Sequence, residues 1–410
     1  MQILLINHYA GSPYHGMEYR PYFFGREWVK QGYSVNVVAS SFSHLRINQP
    51  VVQESYKTEL IDGITYVWLK SPSYNGNGLS RVLNIFSFIY LLIKYSNRLI
   101  KEKFPQIVIA SSTYPLDIFP AYLIAKKTKA KLVYEVHDLW PLTLTEVGGF
   151  SKYHPFIVLL QVAENFAYKN ADKVVSMLPK AIDHMTGKGL RAEKFEDVPN
   201  AVDLISWKKQ NIPGLEHHAN SINKVRENSQ FIIGYFGTMG VSNALDNIIE
   251  SAYLLKEYPV TFIFVGKGSE KPKLEQMVLE GELSNIIFLP PVPKSSIPSL
   301  LSCVDALIIG WKKSPMYRYG ISPNKLLDYM MSGKPIIHAI QAANDPVFES
   351  GCGISVPPEN PALIAEAIMQ LYRLTPDKRE EMGSRGRQFV IDHHDVSKLA
   401  TYMVEKIQGK

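Results

Sequence analysis

The feature that most constrains the fold is an alternation of short apolar runs with amphipathic segments, which occurs in the first half of the chain and again in the second. The apolar runs of the first half are QILLIN, SVNVVAS, QIVIASS, AKLVYEV and ADKVVSM, and those of the second are FIIGYF, VTFIFV, NIIFLP and DALIIG. Such runs are typical of strands buried on both faces, and their alternation with helices predicts parallel sheets. We therefore expect an α/β chain with two doubly wound, Rossmann-like domains.

The length of the chain agrees with two domains, because 410 residues exceed one ordinary core. We expect an N-terminal domain at residues 1–203 and a C-terminal domain at residues 204–389. A final helix at about 390–410 is expected to pack back on the first domain. The stretch 207–229 has little apolar periodicity, which favours a linker or a surface insertion.

The composition excludes several classes of protein. A content of 46% hydrophobic and 20% charged residues is that of a globular chain, and a net charge of +6 is too mild for an extended nucleic-acid surface. The two cysteines, Cys303 and Cys352, form neither a disulfide framework nor a CxxC zinc motif. The chain opens on a strand pattern without the marks of a signal peptide, so we expect a cytoplasmic protein.

The segment at residues 79–104 differs from the rest because it combines an apolar stripe with many cations. Its longest unbroken apolar run is Phe88–Ile93, which is too short for a bilayer span of roughly 20 residues. Its cations are Arg81, Lys94, Arg98, Lys101 and Lys103. The pattern predicts an interfacial helix on anionic lipid, peripheral on the inner face of the plasma membrane. The alternative is a buried helix with a snorkelling rim.

A conflict of charge marks the stretch RYGISPNKLLDYMMSGKPII, residues 318–337. Ser322 and Pro323 predict a helix start, with Ser322 as its cap. Lys325 then falls in the first turn, where the helix dipole disfavours a cation. Because ligands of doubly wound domains bind at the carboxyl ends of strands, near helix N-termini, a bound anion would remove the conflict.

The residue one turn further on suggests which anion this is. Asp328 lies roughly 5 Å beyond Lys325 on the same helix face. A nucleoside diphosphate would satisfy both charges, with Lys325 and the first-turn amides on the phosphates and Asp328 on the ribose hydroxyls. The alternative is an exposed Lys325–Asp328 ion pair worth about 0.2–0.5 kcal/mol.

Four motifs carry a resemblance to a known family. SPNKLLDYMMSGKPII, PNAVD between the domains, FVGKG after a strand and EVHDLWP in the first domain occur in the order typical of family 4 glycosyltransferases with the GT-B fold. The N-terminal stretch from residue 7 to residue 40, together with RYGISPNKLLDYM, resembles the subgroup found among bacterial capsule, O-antigen and exopolysaccharide enzymes. The resemblance implies two domains that face each other across a cleft and a sugar transfer that retains the anomeric configuration.

The resemblance also implies roles for single residues. His137 is expected to be the catalytic residue at the donor sugar, although a strand-end histidine bonded to backbone is the alternative. Gly16 is expected to let the backbone approach the diphosphate, unless it is only a turn glycine. Glu18 and Arg20 lie nearby and could equally belong to a solvated helix start. The full set expected at the diphosphate is Gly16, Arg318, Ser322, Asn324 and Lys325, and the donor-loop glycines are Gly237, Gly266 and Gly268.

The sequence departs from the family pattern at three places. The family's first glutamate is replaced by Gly320 and its second by Asp328, so the donor sugar is left to the backbone of Gly320 and Ile321. The basic pair that usually holds the diphosphate is replaced by Thr238 and Asn243. We therefore expect the positive charge to come from Lys325 and Arg318.

These observations predict a metal-independent, retaining, hexosyltransferase-type glycosyltransferase without a cofactor. Its donor is expected to be a nucleotide sugar, with uridine as the preferred base, and its acceptor a lipid-linked or growing glycan of bacterial surface polysaccharide synthesis. Two alternatives stay open from the sequence: a nucleotide-sugar 2-epimerase of the same fold, and a non-catalytic nucleotide-sugar-binding subunit.

Overall fold

The computed structural model of the protein describes residues 1–16, 20–76, 78–208, 216–228 and 231–409. The chain forms two compact units, one at residues 1–200 with 396–410 and the other at residues 201–395. The sequence analysis placed the corresponding boundaries at residues 203 and 390. Each unit contains its own sheet.

The sheet of the first unit has eight strands in the order β3-β4-β2-β1-β5-β6-β7-β8. The strands are β1 (Gln2–Ile6), β2 (Ser34–Ser40), β3 (Tyr56–Ile61), β4 (Ile64–Leu69), β5 (Ile107–Ala110), β6 (Lys131–Val136), β7 (Lys173–Ser176) and β8 (Phe195–Asp197). Only the edge pair β3–β4 is antiparallel. The sequence analysis missed this hairpin, which turns at Asp62 and Gly63 with φ of 48° and 82°, the positive values that a two-residue hairpin turn requires.

Six helices connect these strands in the described part of the first unit. They are α1 (Arg20–Lys30), α2 (Leu79–Lys103), α3 (Ile118–Thr128), α4 (Leu142–Glu146), α5 (Pro155–Asn170) and α6 (Ile182–Gly187). Helix α3 packs between α2 and α5. Because the crossovers that contain α2, α3 and α5 all run towards β8 and such crossovers are right-handed, these three helices form one layer, and α1 lies on the opposite face of the sheet.

The sheet of the second unit is entirely parallel, with the order β11-β10-β9-β12-β13-β14. Its strands are β9 (Phe231–Phe236), β10 (Val260–Val265), β11 (Ile286–Leu289), β12 (Ala306–Gly310), β13 (Ile336–Ala339) and β14 (Gly353–Val356). Apolar side chains cover both faces of this sheet, as the continuous apolar runs predicted. The expected α/β class with two Rossmann-like sheets is confirmed.

Nine helices belong to the described part of the second unit. They are α7 (Leu204–Lys208), α8 (Glu216–Asn228), α9 (Leu245–Leu254), α10 (Lys271–Glu280), α11 (Ile297–Leu301), α12 (Asn324–Ser332), α13 (Pro346–Ser350), α14 (Pro361–Arg373) and α15 (Pro376–His393). The last helix, α16 (Val396–Gln408), packs on α1, and the Trp28 indole donates to the Ala400 carbonyl at 2.9 Å.

The stretch 207–229 is more ordered than a linker. Residues 209–215 and 229 of this stretch lie outside the described residues, but α8 occupies most of the remainder. Ile222 on α8 is buried in the core of the second unit. One well-placed apolar side chain therefore fixes a helix whose other residues show little apolar periodicity.

Candidate active site

The helix that raised the question of charge, α12, begins one residue later than expected. It starts at Asn324, and its N-cap residue is Pro323 and not Ser322. The predicted cap by Ser322 is therefore wrong. Lys325 is the second residue of the helix, so its position in the first turn is as expected.

Lys325 is half-buried and points into the loop that follows β9. Its Nζ lies 2.6 Å from the Tyr235 hydroxyl and 3.0 Å from Oδ1 of Asn243, and it stands 4.3 Å from the centre of the Tyr235 ring. Burial lowers the pKa of Lys325 from 10.5 to about 7. No carboxylate in the described part of the chain pairs with this lysine. Lys325 is therefore neither exposed nor paired with an acidic residue among those described.

Asp328 does not supply that counter-ion. Its Oδ2 lies 3.8 Å from Nζ of Lys294, and burial raises the pKa of its carboxyl group. The alternative of a Lys325–Asp328 ion pair is therefore wrong. The two residues still share one helix face one turn apart, as the diphosphate and ribose assignment requires.

Three glycines bring the loops after β9 and β10 into contact with each other and with Lys325. Gly237 has φ of 152°, and a Cβ there would lie 2.6 Å from Cε of Lys325. A Cβ on Gly266 would lie 2.0 Å from the Gly237 carbonyl oxygen, and one on Gly268 would lie 2.1 Å from the Met239 carbonyl oxygen. Only glycine fits at these positions. The backbones of the two loops therefore lie close together, in the way that is typical of loops that bind phosphates.

The remaining residues expected near the donor are arranged differently. Arg318 is exposed and stacks on Tyr319, with 4.6 Å from Cζ to the ring centre. The amide of Gly320 donates to the Tyr317 carbonyl at 3.0 Å. Asn344 clamps Ile321, accepting from its amide at 2.7 Å and donating to its carbonyl at 3.0 Å. Both amides expected at the sugar are thus engaged within the protein, and Asn324 is exposed beside them.

His137, in the first unit, is held by a buried polar network at the end of β6. Ser111 Oγ donates to Glu135 at 2.6 Å and lies 2.9 Å from Nε2 of His137. Because the single serine proton goes to the carboxylate, Nε2 of His137 must carry a hydrogen and donate. No described residue hydrogen-bonds to the other ring nitrogen, Nδ1, so it can meet a ligand. The alternative of a histidine bonded to backbone does not match this arrangement.

Arg20 completes this network. It is buried, forms a salt bridge of 2.9 Å with Glu135 and donates to the carbonyls of Val198 and Pro199 at 3.0 and 2.7 Å. Burial alone would raise the pKa of Glu135, but Arg20 and the hydrogen bonds from His137 and Ser111 hold it well below its usual range. The possibility that Arg20 belongs to a solvated helix start is therefore wrong. Glu18 lies outside the described residues.

Gly16 lies in a tight turn of the first unit. Its φ is 84°, its amide donates to the Ser12 carbonyl at 3.0 Å, and a Cβ would lie 2.9 Å from Cδ1 of Ile47. Glycine is needed here by the turn itself, so its role at the diphosphate stays a prediction.

Two families of glycosyltransferases match the chain. The family described as Glycosyltransferase Family 4 matches residues 14–205, and the one described as Glycosyl transferases group 1 matches residues 230–373. The two matched ranges together include every expected site residue. The protein belongs to the family 4 glycosyltransferases.

The relatives of this glycosyltransferase have low sequence identity to it, but the matches extend over most of both chains. The chain is 25% identical over 365 residues to the putative colanic acid biosynthesis glycosyl transferase WcaI of Escherichia coli, which covers 85% of this chain and 86% of that protein. It is 23% identical over 318 residues to the probable glycosyltransferase WbjE of Pseudomonas aeruginosa, covering 74% and 75%.

Solved structures establish the fold of this glycosyltransferase as GT-B. Sucrose-phosphate synthase from Thermosynechococcus elongatus superposes with a TM-score of 0.74 at 14% identity, covering 100% of this chain and 99% of that one. HepE of Anabaena in complex with UDP superposes with a TM-score of 0.69 at 16% identity, covering 100% of both chains. The expected GT-B class and the expected enzyme class are confirmed.

Lys325 reaches the loop after β9, in which Thr238 and Asn243 were expected to replace the family's basic pair. Asn243 donates to the Thr238 carbonyl at 3.1 Å. Its Oδ1 accepts from Lys325, which reaches the loop from α12. The helix therefore brings one ammonium group to this loop, and its role in place of the basic pair stays a prediction.

Proposed function

We propose that this glycosyltransferase transfers a sugar, with retention of configuration, from a nucleotide diphosphate sugar to a lipid-linked or growing glycan in bacterial surface polysaccharide synthesis. The observation that carries the proposal is the half-buried Lys325, which has no carboxylate partner among the described residues and lies against the glycine loops after β9 and β10. Lys325 and the adjacent glycine loops fit a diphosphate as the counter-ion.

The donor binds along the first turn of α12. Lys325 and the first-turn amides hold the phosphates, since helix N-termini and ammonium groups both attract anions. Asp328, roughly 5 Å further along the helix, accepts from the ribose hydroxyls. Uridine is the preferred base, a choice supported by the solved complex of HepE with UDP.

The reaction proceeds on one face of the sugar and needs no metal. The leaving diphosphate accepts the proton of the acceptor hydroxyl, while Lys325 and the α12 amides stabilise the charge that develops on it. His137 presents Nδ1 to the donor sugar, and the Ser111–Glu135–Arg20 network fixes the ring orientation.

A transfer assay with purified protein tests this proposal. UDP-sugars and GDP-sugars are incubated with lipid extracts from bacteria that make surface polysaccharides, and the labelled lipid product and the free nucleotide sugar are analysed. We expect labelled lipid with one UDP-sugar. Accumulation of an epimerised free nucleotide sugar would indicate the 2-epimerase, and nucleotide binding without either product would indicate a non-catalytic subunit.

The lipid-linked acceptor is supported by the outward face of α2. By length and composition α2 could cross a membrane, but one of its faces is buried in the first unit, so we propose that it lies on the cytoplasmic membrane surface. The opposite face exposes an apolar stripe with a spacing of three and four residues, formed by Leu79, Leu83, Phe86, Tyr90 and Ile93.

The cations of α2 do not all share this face. At about 100° per residue, Lys94 and Lys101 flank the apolar stripe, whereas Arg81, Arg98 and Lys103 point well away from it. Arg98 is also engaged with Glu102 at 2.7 Å. The expectation that five cations contact the membrane therefore needs correction, and we assign that contact to Lys94 and Lys101.

This assignment provides a matched control on a single helix. Each lysine near an anionic surface contributes about 1 kcal/mol, so the pair Lys94→Gln/Lys101→Gln should bind phosphatidylglycerol vesicles roughly 30-fold more weakly at low salt. The pair Arg98→Gln/Lys103→Gln removes the same charge and should change binding little. Equal losses from both pairs, or no vesicle binding by the wild type, would contradict the membrane assignment.

A further inference from the structure

Helix α2 also has a cation in its first turn. Arg81 is the third residue of α2, whose N-cap, Gly78, provides no side-chain cap and whose first turn has no acidic residue. The helix dipole disfavours a cation at this position, as it does at Lys325. Arg81 lies roughly 160° around α2 from the exposed apolar stripe, so it faces the domain and not the membrane. Its guanidinium lies 3.2 Å from the Tyr9 hydroxyl.

Arg81 belongs to a cluster at the carboxyl edge of the first sheet. Tyr9 follows β1, His44 follows β2 and Tyr74 follows β4, and these three strands are parallel, so the residues meet at one edge. Nδ1 of His44 lies 2.6 Å from the Tyr74 hydroxyl, and the rings of Tyr9 and His44 pack edge-on at 5.8 Å. His44 is exposed and Arg81 is half-buried, so the cluster is open to solvent on one side.

A buried positive charge beneath the cluster lacks a counter-ion. Arg46 is 4% exposed, and it donates only to neutral oxygens, the carbonyls of Ala10 and Ser40 at 2.6 Å and the side chain of Gln49 at 3.2 Å. Burial lowers the pKa of Arg46 to about 10. Buried arginines are normally paired with acids, and no described carboxylate pairs with this one.

His8 gives a second sign of an unsatisfied site. It is fully buried, its Nδ1 lies 2.6 Å from the Tyr114 hydroxyl, and no described residue lies within hydrogen-bond distance of its Nε2, although the Asn84 side chain is near enough to favour its charged form. Burial and the positive charges of Arg46 and Arg81 lower the pKa of His8. The cluster and the adjacent His8 thus contain two arginines, two histidines and two tyrosines but no acidic residue among those described, and this region attracts anions.

We propose that the cluster of Tyr9, His44, Arg46, Tyr74 and Arg81 binds a phosphate or diphosphate ester carried by the acceptor. The inference rests on the proposed function, because it concerns the second substrate of the transfer. Arg81, His44 and Tyr74 supply several N–H and O–H donors around one opening, which suits the many acceptor oxygens of a phosphate group. The bound phosphate is the counter-ion that the buried Arg46 does not find among the described residues.

Binding of inorganic pyrophosphate tests the site without knowledge of the acceptor sugar. Calorimetric titrations are carried out on the full-length Lys325→Ala variant, in which the donor site is weakened, and on the same variant with Arg81→Gln added. The matched control adds Arg98→Gln, which removes an arginine from the same helix. We expect Lys325→Ala to bind pyrophosphate, Arg81→Gln to weaken this binding about 10- to 100-fold, and Arg98→Gln to leave it unchanged.

A substitute variant and a vesicle-binding measurement distinguish phosphate binding at the cluster from a structural or membrane role of Arg81. If Arg81→Gln lowers the melting temperature, His44→Gln, an exposed change, replaces it in the same comparison and should also weaken binding. The proposal is wrong if Lys325→Ala binds no pyrophosphate, or if Arg81→Gln and Arg98→Gln have equal effects. It is also wrong if Arg81→Gln reduces binding to phosphatidylglycerol vesicles but not to pyrophosphate, since the arginine would then serve the membrane surface. Failure of the proposed transfer reaction would appear separately, as absence of labelled lipid in the transfer assay.

Discussion

The affinity for the donor should depend on pH through Lys325. Burial lowers the pKa of Lys325 to about 7 in the free protein. A bound diphosphate favours the charged form, and a charge-assisted contact of about 1.5–3 kcal/mol corresponds to a rise of roughly 1–2 pKa units. Below pH 7 the lysine is charged in both states and affinity should be constant. Above pH 7 binding must take up a proton, so affinity should fall up to tenfold per pH unit, about 10- to 100-fold in all.

Calorimetry between pH 6 and 9.5 measures this dependence. The ligand is a nucleotide sugar and not a free nucleoside diphosphate, because the terminal phosphate of the latter titrates near pH 6. Buffers with different ionisation heats report the number of protons taken up. Lys325→Ala should bind weakly at all these pH values, and Lys378→Ala, an exposed lysine on α15, should behave like the wild type.

The same pKa has a consequence for stability with the opposite sign. Because the folded pKa lies below the unfolded value of 10.5, the unfolded chain binds more protons between pH 7 and 10.5. The contribution of Lys325 to the free energy of unfolding should therefore rise with pH across this window, and Lys325→Ala should lose that rise.

A donor affinity that is independent of pH, or that falls equally in Lys325→Ala, would refute the predicted pH dependence of donor binding.

Three further predictions concern substitutions of single residues. Gly237→Ala should lower the free energy of unfolding by about 1–3 kcal/mol in urea, because its backbone is strained and its Cβ would meet Lys325, whereas Gly240→Ala, with no contact under 3.8 Å, should be far milder. Asp328→Asn should weaken UDP binding but not pyrophosphate binding, and equal losses would mean that it acts through Lys325. His137→Ala should lower kcat more than nucleotide affinity, and a lowered melting temperature with unchanged kinetics would mean a structural role.

Local patterns predicted most of the fold because buried parallel strands are continuous apolar runs. The hairpin of β3 and β4 was missed because β3 is an edge strand with alternating exposed residues, as its sequence YKTELI shows. Its Asp62-Gly63 turn was a usable signal. The strand β14 has four residues that are all only partly buried, so it has no comparable apolar signature.

A residue of the candidate site could be predicted only where the evidence for it lies within a single helix or strand. Lys325 conflicts with the dipole of its own helix, so the sequence alone pointed to it. Its partner Tyr235 lies 90 residues away, and Arg20 lies 115 residues from Glu135. Contacts of this kind depend on the tertiary arrangement of strands, which no local pattern specifies. For the same reason the burial of Arg20 could not be anticipated.

The most direct test of the account is to titrate wild type and Lys325→Ala with UDP and with uridine under identical conditions. The account predicts that UDP binds the wild type about 10- to 100-fold more tightly than the variant, while uridine, which lacks the diphosphate, binds both equally. Equal affinity of UDP for both proteins would contradict the claim that Lys325 holds the donor diphosphate.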